Sequence, residues 1–356
     1  MMAKRAIFRA DASHEVGTGH FMRCLALAQA IQHGGGRAAF ACRELPDTLR
    51  QRLREENMDM LTVLGDVAGA VDARETVVHA AKFDAQWIVV DGYGFRADYY
   101  EALRRTGCGV LAIDDMAHAD GYPVDLLLNQ NLHAAPGLYA PNTPPTTKLL
   151  LGPRFSLLRR EFRAQSAQPR VFAPAARRLL ISFGGSDPQD LSGQVLRALA
   201  QQRDGSLEVV VLAGGAHHGV PVLRELAREL PFACDVRVNV SDVAAVMAWA
   251  DAAVTAGGAT VWELAAMRLP ALIVGVSIDQ RIGLRQLGEL PLFRITDATE
   301  LAQVDVHAEL SGLLAALRGC DAGSPELNGG IDAHGTDRVC AAMHASFANR
   351  AALRPA

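Results

Sequence analysis

Short apolar runs that end in polar residues recur along the whole chain, with helical patterns between them, and this limits the folds available. Predicted strands at 6–10 and 87–90 end beside Asp11 and Asp91. This alternation is typical of a parallel, doubly wound α/β sheet, in which ligands bind beyond the carboxyl ends of the strands. For Asn129 and Asp115, ordinary turn chemistry is the alternative. The polar residues expected to face one crevice are Asp11, Asp91, Tyr93, Asp114, Asp115, Asn129 and Asn131.

The strand and helix pattern is interrupted once, in a stretch rich in Ala and Pro. Periodicity is lost from residue 163, and a second series of strands and helices starts at about 178. Such a stretch is typical of a connection between domains. We predict a first domain at 1–165, a linker at 166–176, a second domain at 177–347 and a frayed tail at 348–356.

Charge and cysteine usage exclude several functional classes. The 356-residue chain carries a formal net charge of −4, which gives no basic footprint for nucleic acid. Charged residues interrupt its apolar runs before they reach the roughly 20 residues that span a bilayer. The six cysteines are scattered without the spacing of a zinc site or a disulfide framework. We expect a globular cytoplasmic protein without a signal peptide, a metal or a cofactor.

The first predicted strand is followed by a polar loop and a helix that starts at His20. Gly17 and Gly19 flank Thr18, so the backbone there can turn tightly and approach a ligand closely. The positive end of the helix dipole favours an anion and disfavours imidazolium, and a neutral histidine is what a general base requires. Arg23 is expected on the same helix face as His20. The alternative is that His20 is a cap or a surface residue.

Two glycine-rich loops in the second half have the composition of phosphate-binding turns. Gly257 and Gly258 open a predicted helix, whose backbone N–H groups and dipole suit a diphosphate. Glu263 follows about one turn later and is suited to bind a ribose diol. The alternative is that Glu263 only complements the helix dipole, which contributes about 0.3–1 kcal/mol. A similar loop lies at 184–186, and the absence of a G-x-G-x-x-G fingerprint excludes NAD.

Seven motifs spread over most of the chain resemble those of one enzyme family. They are Asp11-Ala12-Ser13, Gly17-Thr18-Gly19-His20, Met22-Arg23-Cys24, Leu150-Leu151-Gly152-Pro153, the run 182–188 (Ser-Phe-Gly-Gly-Ser-Asp-Pro), Gly257-Gly258-Ala259-Thr260 and Trp262-Glu263. On these motifs the chain resembles the UDP-2,4-diacetamido-2,4,6-trideoxy-β-L-altropyranose hydrolases of pseudaminic acid biosynthesis, a nonulosonic acid pathway tied to flagellin glycosylation. The family is similar in fold to the GT-B glycosyltransferases that make lipid II. The resemblance implies two Rossmann-like, doubly wound α/β domains that face each other across a cleft.

The resemblance also implies a reaction and the residues of the first domain that carry it. A UDP-sugar would lie in the cleft, and water would attack its anomeric carbon with inversion and without a metal. His20 matches the catalytic histidine of the family and would activate the water, while Tyr93 would orient the water or the sugar. The residues implied in sugar or phosphate contacts are Asp11, Gly17, Thr18, Gly19, Arg23, Asp279 and Gln280.

The resemblance assigns the nucleotide to the second domain. Glu263 would hold the ribose, and Val240 precedes the loop where GT-B relatives read uracil through backbone groups. The residues implied in holding the diphosphate are Gly184, Gly185, Ser186, Gly257, Gly258, Ala259 and Thr260. The only partner implied is the small-molecule UDP-sugar, with no nucleic acid and no membrane, and we expect a monomer.

Other functions fit the same pattern. A GT-B glycosyltransferase would use the same nucleotide site with an acceptor sugar, and a hydrolysing 2-epimerase would release an epimerised sugar. A non-catalytic sugar-nucleotide-binding protein would leave His20 idle. The chain departs from the usual family pattern at Gly92, Arg160 and Ile278, which leaves a related UDP-diacetamido sugar open as the substrate.

Overall fold

The structure, a computed structural model, describes residues 5–13, 16–201, 206–215, 217–276 and 281–352. These residues form two compact units. The first unit comprises the described residues up to Arg160 and those from His334 onward, and the second lies within Glu161–Ala333. Among the described helices, none combines the length and the apolar character that crossing a membrane requires.

The first unit is built on one parallel sheet. Its strands are β1 (Arg5–Arg9), β2 (Arg37–Cys42), β3 (Asp59–Thr62), β4 (Trp87–Asp91), β5 (Gly109–Ile113), β6 (Leu126–Asn129) and β7 (Lys148–Leu151). They are ordered β3-β2-β1-β4-β5-β6-β7 across the sheet. Alternate residues of a strand point to opposite faces, so Phe8 and Val89 lie in one hydrophobic core while Ile7 and Val90 lie in another. Burial on both faces explains why the central strands β4 and β5 are almost continuous apolar runs.

The helices of the first unit include the last helix of the chain. They are α1 (Gly19–His33), α2 (Asp47–Glu55), α3 (Ala70–Lys82), α4 (Ala97–Arg104), α5 (Pro136–Tyr139) and α14 (Gly335–Ala352), with a 3-10 helix at Pro153–Phe155. The helix α6 (Arg160–Ser166) begins at the last residue of the unit's first segment.

The helix α14 belongs to the first unit, whereas we expected from the sequence that the second domain would continue to residue 347. Val339 and Met343 of α14 are fully buried in the same hydrophobic core as Leu25 of α1. Gly335 packs so closely on the backbone of Ser156 that a Cβ atom would not fit there. The helix also runs to Ala352, beyond the start of the frayed tail expected at 348. Apolar packing onto α1 therefore places α14 in the first unit.

The second unit repeats the architecture of the first. Its strands are β8 (Arg178–Ser182), β9 (Glu208–Ala213), β10 (Ala233–Val238), β11 (Ala252–Ala256), β12 (Ala271–Gly275) and β13 (Phe293–Asp297), all parallel, in the order β10-β9-β8-β11-β12-β13. Its further helices are α7 (Leu191–Leu199), α8 (Val220–Glu229), α9 (Val243–Trp249), α10 (Thr260–Ala266), α11 (Arg281–Leu287), α12 (Val306–Ala316) and α13 (Pro325–Asn328), with a 3-10 helix at Leu301–Gln303.

The segment expected as a linker, 166–176, is tied to the second unit. Arg170 donates hydrogen bonds to the carbonyl oxygens of Met247, Ala250 and Met267 at 2.7, 2.8 and 2.9 Å. These carbonyls lie at the carboxyl ends of α9 and α10. The last carbonyl groups of a helix have no hydrogen-bond partner within the helix, and Arg170 supplies one here. The division between units accordingly falls between 160 and 161, before the boundary at 165 that the loss of periodicity suggested.

In each unit the strand order reverses beside the first strand. The reversal lies between β1 and β4 in the first unit and between β8 and β11 in the second. Doubly wound sheets bind ligands at this topological switch point, outside the carboxyl ends of the strands. The loops that follow these four strands are therefore the candidate sites.

Candidate active site

His20 lies at the start of α1, just beyond the carboxyl end of β1. Gly17 adopts a left-handed backbone with a φ of +78°, which lets the loop turn before the helix. Thr18 is the N-cap and Gly19 is the first helical residue, so His20 occupies the second helical position. Its side chain is only 10% exposed. The imidazole is therefore held largely buried beside the switch point of the first sheet.

Asp91, the last residue of β4, holds one nitrogen of that imidazole. Nδ1 of His20 lies 2.8 Å from Oδ1 of Asp91, whose side chain is completely buried. The two residues meet because β4 is the neighbour of β1 across the switch point. The sequence predicted that Asp91 would face the crevice, but it did not predict the pairing with His20.

Arg23 bridges Asp91 and a second carboxylate. Its Nε and Nη2 donate to the two oxygens of Asp91 at 2.6 and 2.7 Å, and its Nη1 donates to Asp115 at 2.8 Å. Nη2 also lies 3.1 Å from Nδ1 of His20, because both nitrogens approach the same oxygen of Asp91. These contacts favour a positioning role for Arg23, and the expected contact with the sugar stays a prediction.

The charge of Asp91 determines which nitrogen of His20 carries the proton. Burial alone would raise the pKa of Asp91, but the charge of Arg23 and the hydrogen bonds from Arg23 and His20 outweigh it and hold that pKa below its ordinary value. An ionised carboxylate only accepts hydrogen bonds, so Nδ1 of His20 donates and Nε2 carries the lone pair. Nε2 makes no hydrogen bond within the described part of the chain. The outer nitrogen can therefore take up a proton.

Tyr93 stands beside this imidazole with an exposed ring. The ring centroids of Tyr93 and His20 are 4.8 Å apart, and the rings meet edge-on at 86°. Tyr93 is 59% exposed, so a ligand that reached His20 would also meet this ring. Partial desolvation and the charge of Asp115 raise the pKa of Tyr93, which keeps its hydroxyl protonated and able to donate. The water-orienting role expected for Tyr93 stays a prediction.

Asp114 organises a neighbouring polar cluster that sequence reasoning missed. It accepts hydrogen bonds from the hydroxyls of Tyr122 and Tyr139 at 2.8 and 2.7 Å and from the backbone N–H of Ala117 at 2.6 Å. Nδ1 of His118 lies 2.7 Å from the same carboxylate. Burial alone would raise the pKa of Asp114, but these partners outweigh it and lower that pKa. The cluster is therefore built around an ionised carboxylate.

The asparagines that follow β6 secure Asp115. Nδ2 of Asn131 donates to Oδ1 of Asp115 at 2.8 Å. Nδ2 of Asn129 donates to the carbonyl oxygen of Asp115 at 3.1 Å and to the hydroxyl of Tyr139 at 2.7 Å. The turn chemistry considered as an alternative is present at Asn129, whose Oδ1 accepts a hydrogen bond from the backbone N–H of Asn131 at 2.9 Å. The carboxylate of Asp115 binds Arg23 and Asn131 instead.

Asp11 has a structural role in the fold. Its carboxylate accepts a hydrogen bond from Nη1 of Arg9 at 2.7 Å and from the backbone N–H of Arg43, also at 2.7 Å. The completely buried Arg9 in turn binds both oxygens of Asp72 at 2.9 and 2.7 Å. The contact of Asp11 with substrate stays a prediction, because the described hydrogen bonds of its carboxylate go to protein groups.

The loop after β8 carries Gly184, Gly185 and Ser186. Gly184 is left-handed, with a φ of +84°. The next acidic residue, Asp187, accepts hydrogen bonds from the backbone N–H groups of Leu191 and Ser192 at 2.9 and 2.8 Å. This carboxylate caps the start of α7 and fixes the end of the loop. The glycine turn itself lies at the switch point of the second sheet, where we expected the diphosphate.

The loop after β11 lies across the same switch point. A Cβ atom on Gly257 would come within 2.6 Å of the Leu284 side chain, whereas Gly258 faces open space. Ala259 is the N-cap of α10, Thr260 is its first residue, and Glu263 lies half-buried in its first turn. Val240 follows β10, which is the edge strand of the sheet and is separated by β9 from β8 at the switch point. Their expected contacts with UDP stay predictions.

Two of the expected sugar-contacting residues, Asp279 and Gln280, lie outside the described residues, as does Ile278. Within the described part of the chain, no three His, Cys, Asp or Glu side chains are grouped so that they could hold a metal ion.

Comparison with known proteins gives a distant relation in sequence. A UDP-2,4-diacetamido-2,4,6-trideoxy-β-L-altropyranose hydrolase of Campylobacter jejuni is 24% identical over 200 residues, which cover 56% of this chain and 67% of that protein. An uncharacterized protein of Methanocaldococcus jannaschii is 21% identical over 274 residues, which cover 74% of this chain. The match spans only about half of that second relative, 54% of its length. No protein-family model matches the chain.

Solved structures give a closer relation in fold. MurG of Acinetobacter baumannii matches with a TM-score of 0.60 and 15% identity, over 96% of this chain and 99% of that one. The fold is GT-B-like. A Listeria monocytogenes protein with the provisional name UDP-N-acetylglucosamine 2-epimerase matches with a TM-score of 0.61 and 13% identity, over 98% of both chains. The prediction of two doubly wound domains of GT-B type is confirmed.

Proposed function

We propose that the chain is a UDP-sugar hydrolase in which His20 activates the attacking water. The observation that carries the proposal is the pair formed by His20 and Asp91 at the switch point of the first sheet. The 2.8 Å contact holds Nδ1 and leaves Nε2 as the nitrogen that can act as a base. The sequence relation to the Campylobacter hydrolase supports the substrate class.

In the proposed reaction, Nε2 of His20 takes a proton from water while the water oxygen bonds to the anomeric carbon. The bond between that carbon and the diphosphate oxygen breaks, and its electron pair leaves with UDP. Asp91 stabilises the imidazolium that forms, and general base catalysis of this kind contributes about 10²–10⁴ in rate. UDP is a stable anion, so the two-carboxylate arrangement of most glycosidases is not required. Attack opposite the leaving group inverts the anomeric centre.

The proposal assigns the nucleotide to the second unit. Backbone N–H groups of the loops at 184–186 and 257–260 would hold the diphosphate, since glycine turns allow close approach of the backbone to phosphate oxygens. Glu263 would accept hydrogen bonds from the ribose hydroxyls, and Val240 would contact uracil through its backbone. Both loops lie at the switch point of the second sheet, which supports this assignment.

The finer assignment is the sugar itself. We propose UDP-2,4-diacetamido-2,4,6-trideoxy-β-L-altropyranose as substrate, with UDP and 2,4-diacetamido-2,4,6-trideoxy-L-altrose as products for pseudaminic acid biosynthesis. The motifs from Asp11 to Glu263 and the Campylobacter relative support this choice. A related UDP-diacetamido sugar is the alternative substrate.

A panel of UDP-diacetamido-trideoxyhexoses, incubated without any acceptor, tests the proposal. We expect UDP release that EDTA does not change, and NMR of the product should show the sugar unepimerised at C2. UDP release that depends on an added acceptor would make the protein a glycosyltransferase, as the fold relation to MurG allows. A product epimerised at C2 would make it a hydrolysing epimerase, and no release from any sugar would contradict enzymatic hydrolysis.

A further inference from the structure

Asp114 and Asp115 are adjacent at the end of β5, but their carboxylates serve two different histidines. Asp115 binds Arg23, which binds Asp91, the partner of His20. Asp114 instead lies 2.7 Å from Nδ1 of His118. Both residues follow the last residue of β5, and the chain bends at Asp115, so these neighbours in sequence support different groups.

His118 and His20 both lie close to Tyr93. The ring centroids of Tyr93 and His118 are 6.0 Å apart, and those of Tyr93 and His20 are 4.8 Å apart. The His118 side chain is 25% exposed, although its two nitrogens are buried. A molecule bound against the exposed Tyr93 ring would therefore reach the edge of this imidazole and would meet Nε2 after a small turn of the ring. His118 therefore belongs to the same site as the proposed base, although its position in the sequence did not indicate it.

The two nitrogens of His118 are in different situations. Nδ1 lies 2.7 Å from Oδ1 of Asp114, a close polar contact, although its geometry falls short of a regular hydrogen bond. Asp114 already accepts from two tyrosine hydroxyls and a backbone N–H, and as a carboxylate it requires a proton on Nδ1. Nε2 is then an acceptor, and it has no hydrogen-bond partner within the described residues. A buried acceptor without a partner is costly and calls for one.

We propose that His118 determines sugar specificity: its Nε2 accepts a hydrogen bond from an N–H group of the sugar, the acetamido N–H of a diacetamido sugar. This inference rests on the proposed UDP-sugar function and adds a specificity residue to the same site. A site that hydrogen-bonds one donor of its substrate discriminates against analogues that lack it, because the acceptor is left unpaired. Tyr93 would cover the apolar part of the acetamido group, and Asp114 would keep the proton on Nδ1 of His118.

The test compares three ligands: a UDP-2,4-diacetamido-2,4,6-trideoxyhexose and two analogues that each lack one acetamido group. Binding is measured by calorimetry in His20→Gln, which prevents turnover, with and without His118→Phe. Phenylalanine keeps the ring contact with Tyr93 and removes both nitrogens. We expect His118→Phe to weaken binding of the diacetamido sugar about tenfold and to leave the affinity for UDP unchanged. The analogue that lacks the acetamido group bound by His118 should change by less than about twofold.

A second variant and a control complete the design. His118→Gln keeps an oxygen acceptor near the position of Nε2 and should restore most of the lost affinity. His33→Phe replaces an exposed histidine at the far end of α1 and should change nothing. Equal loss on all three sugars, or no loss on any, would overturn the role of His118. Failure of the enzyme with His20 intact to release UDP would overturn the proposed hydrolysis instead, while the binding pattern would still decide on His118.

Discussion

Asp91 and His20 are 71 positions apart in the chain, yet their side chains meet at 2.8 Å. They meet because β4 ends where the helix after β1 begins, on the two sides of the switch point. The contact orients the imidazole and leaves its outer nitrogen as the base.

Replacing His20 by Gln should lower kcat by about 10²–10⁴, because the base is lost. UDP should still bind, since the nucleotide is assigned to the second unit. UDP release and UDP calorimetry measure the two effects separately. The matched control is His33→Gln, an exposed histidine of the same helix, and a His20→Gln enzyme as active as this control would rule out His20 as the base.

Replacing Asp91 by Asn should also lower kcat by at least about tenfold, because an amide can present an N–H group and reverse the tautomer of His20. Arg23 would lose part of its charge partner, so unfolding should require about 3 kcal/mol less free energy. Urea unfolding measures the free energy of unfolding. The kcat of the variant is calculated per folded molecule and compared with that of the native protein. An Asp91→Asn enzyme with ordinary kcat would show that the pairing does not orient the base.

Asp115 should make the stability of the protein fall in acid. Burial alone would raise its pKa, but Arg23 outweighs it and lowers the pKa of Asp115 from 3.8 to about 2. A carboxyl whose pKa is lower in the folded state stabilises the fold above its ordinary pKa and loses this effect as the pH falls to its folded pKa. The loss should therefore occur between about pH 4 and pH 2 and amount to about 2 kcal/mol.

The measurement is the free energy of unfolding against pH for the native protein and for Asp115→Asn. The variant should be less stable at pH 7 and should lose less stability between pH 4 and pH 2. Parallel curves for the two proteins would contradict the assignment of this stability to Asp115.

Replacing Glu263 by Ala should raise KM about tenfold or more and leave kcat nearly unchanged, because the lost hydrogen bonds to the ribose act equally in the ground state and the transition state. Steady-state kinetics with the preferred UDP-sugar measures both constants. A fall in kcat at constant KM would move Glu263 from nucleotide binding to the chemical step.

Replacing Arg170 by Met should lower the free energy of unfolding by about 3 kcal/mol or more, since three carbonyl oxygens at helix ends would lose their hydrogen bonds. Burial lowers the pKa of Arg170 to about 10, so the residue remains charged at neutral pH. Arg237→Met is the matched control, because its exposed ion pair with Asp235 should contribute less than about 1 kcal/mol. Equal effects of the two substitutions would contradict the anchoring role.

The sequence predicted the fold class well because parallel strands buried on both faces leave a strong local signal. The predicted strands at 6–10 and 87–90 agree with β1 and β4 to within one residue at each end. The predicted start of the helix at His20 is within one residue of the start of α1 at Gly19. In these segments, apolar composition and glycine position act locally and need no knowledge of the partner elements.

The partners of His20 could not be predicted from local sequence. Asp91 is far from His20 in the chain, and only the strand order brings the two together. The role of Asp115 depends on Arg23 and Asn131, and that of His118 depends on Asp114. The useful signal was that each of these acids lies at or just beyond the carboxyl end of a strand. The missing information was that β1 and β4 are neighbours across the switch point.

The return of α14 to the first unit means that the second unit is an insertion within the first. The chain passes from one unit to the other twice, after Arg160 and after Ala333. A fragment that stops at residue 333 would leave the core beside Leu25 uncovered, whereas the segment 161–333 is contiguous. The first unit, which carries His20, can therefore be expressed alone as one polypeptide only if its two separate segments are joined.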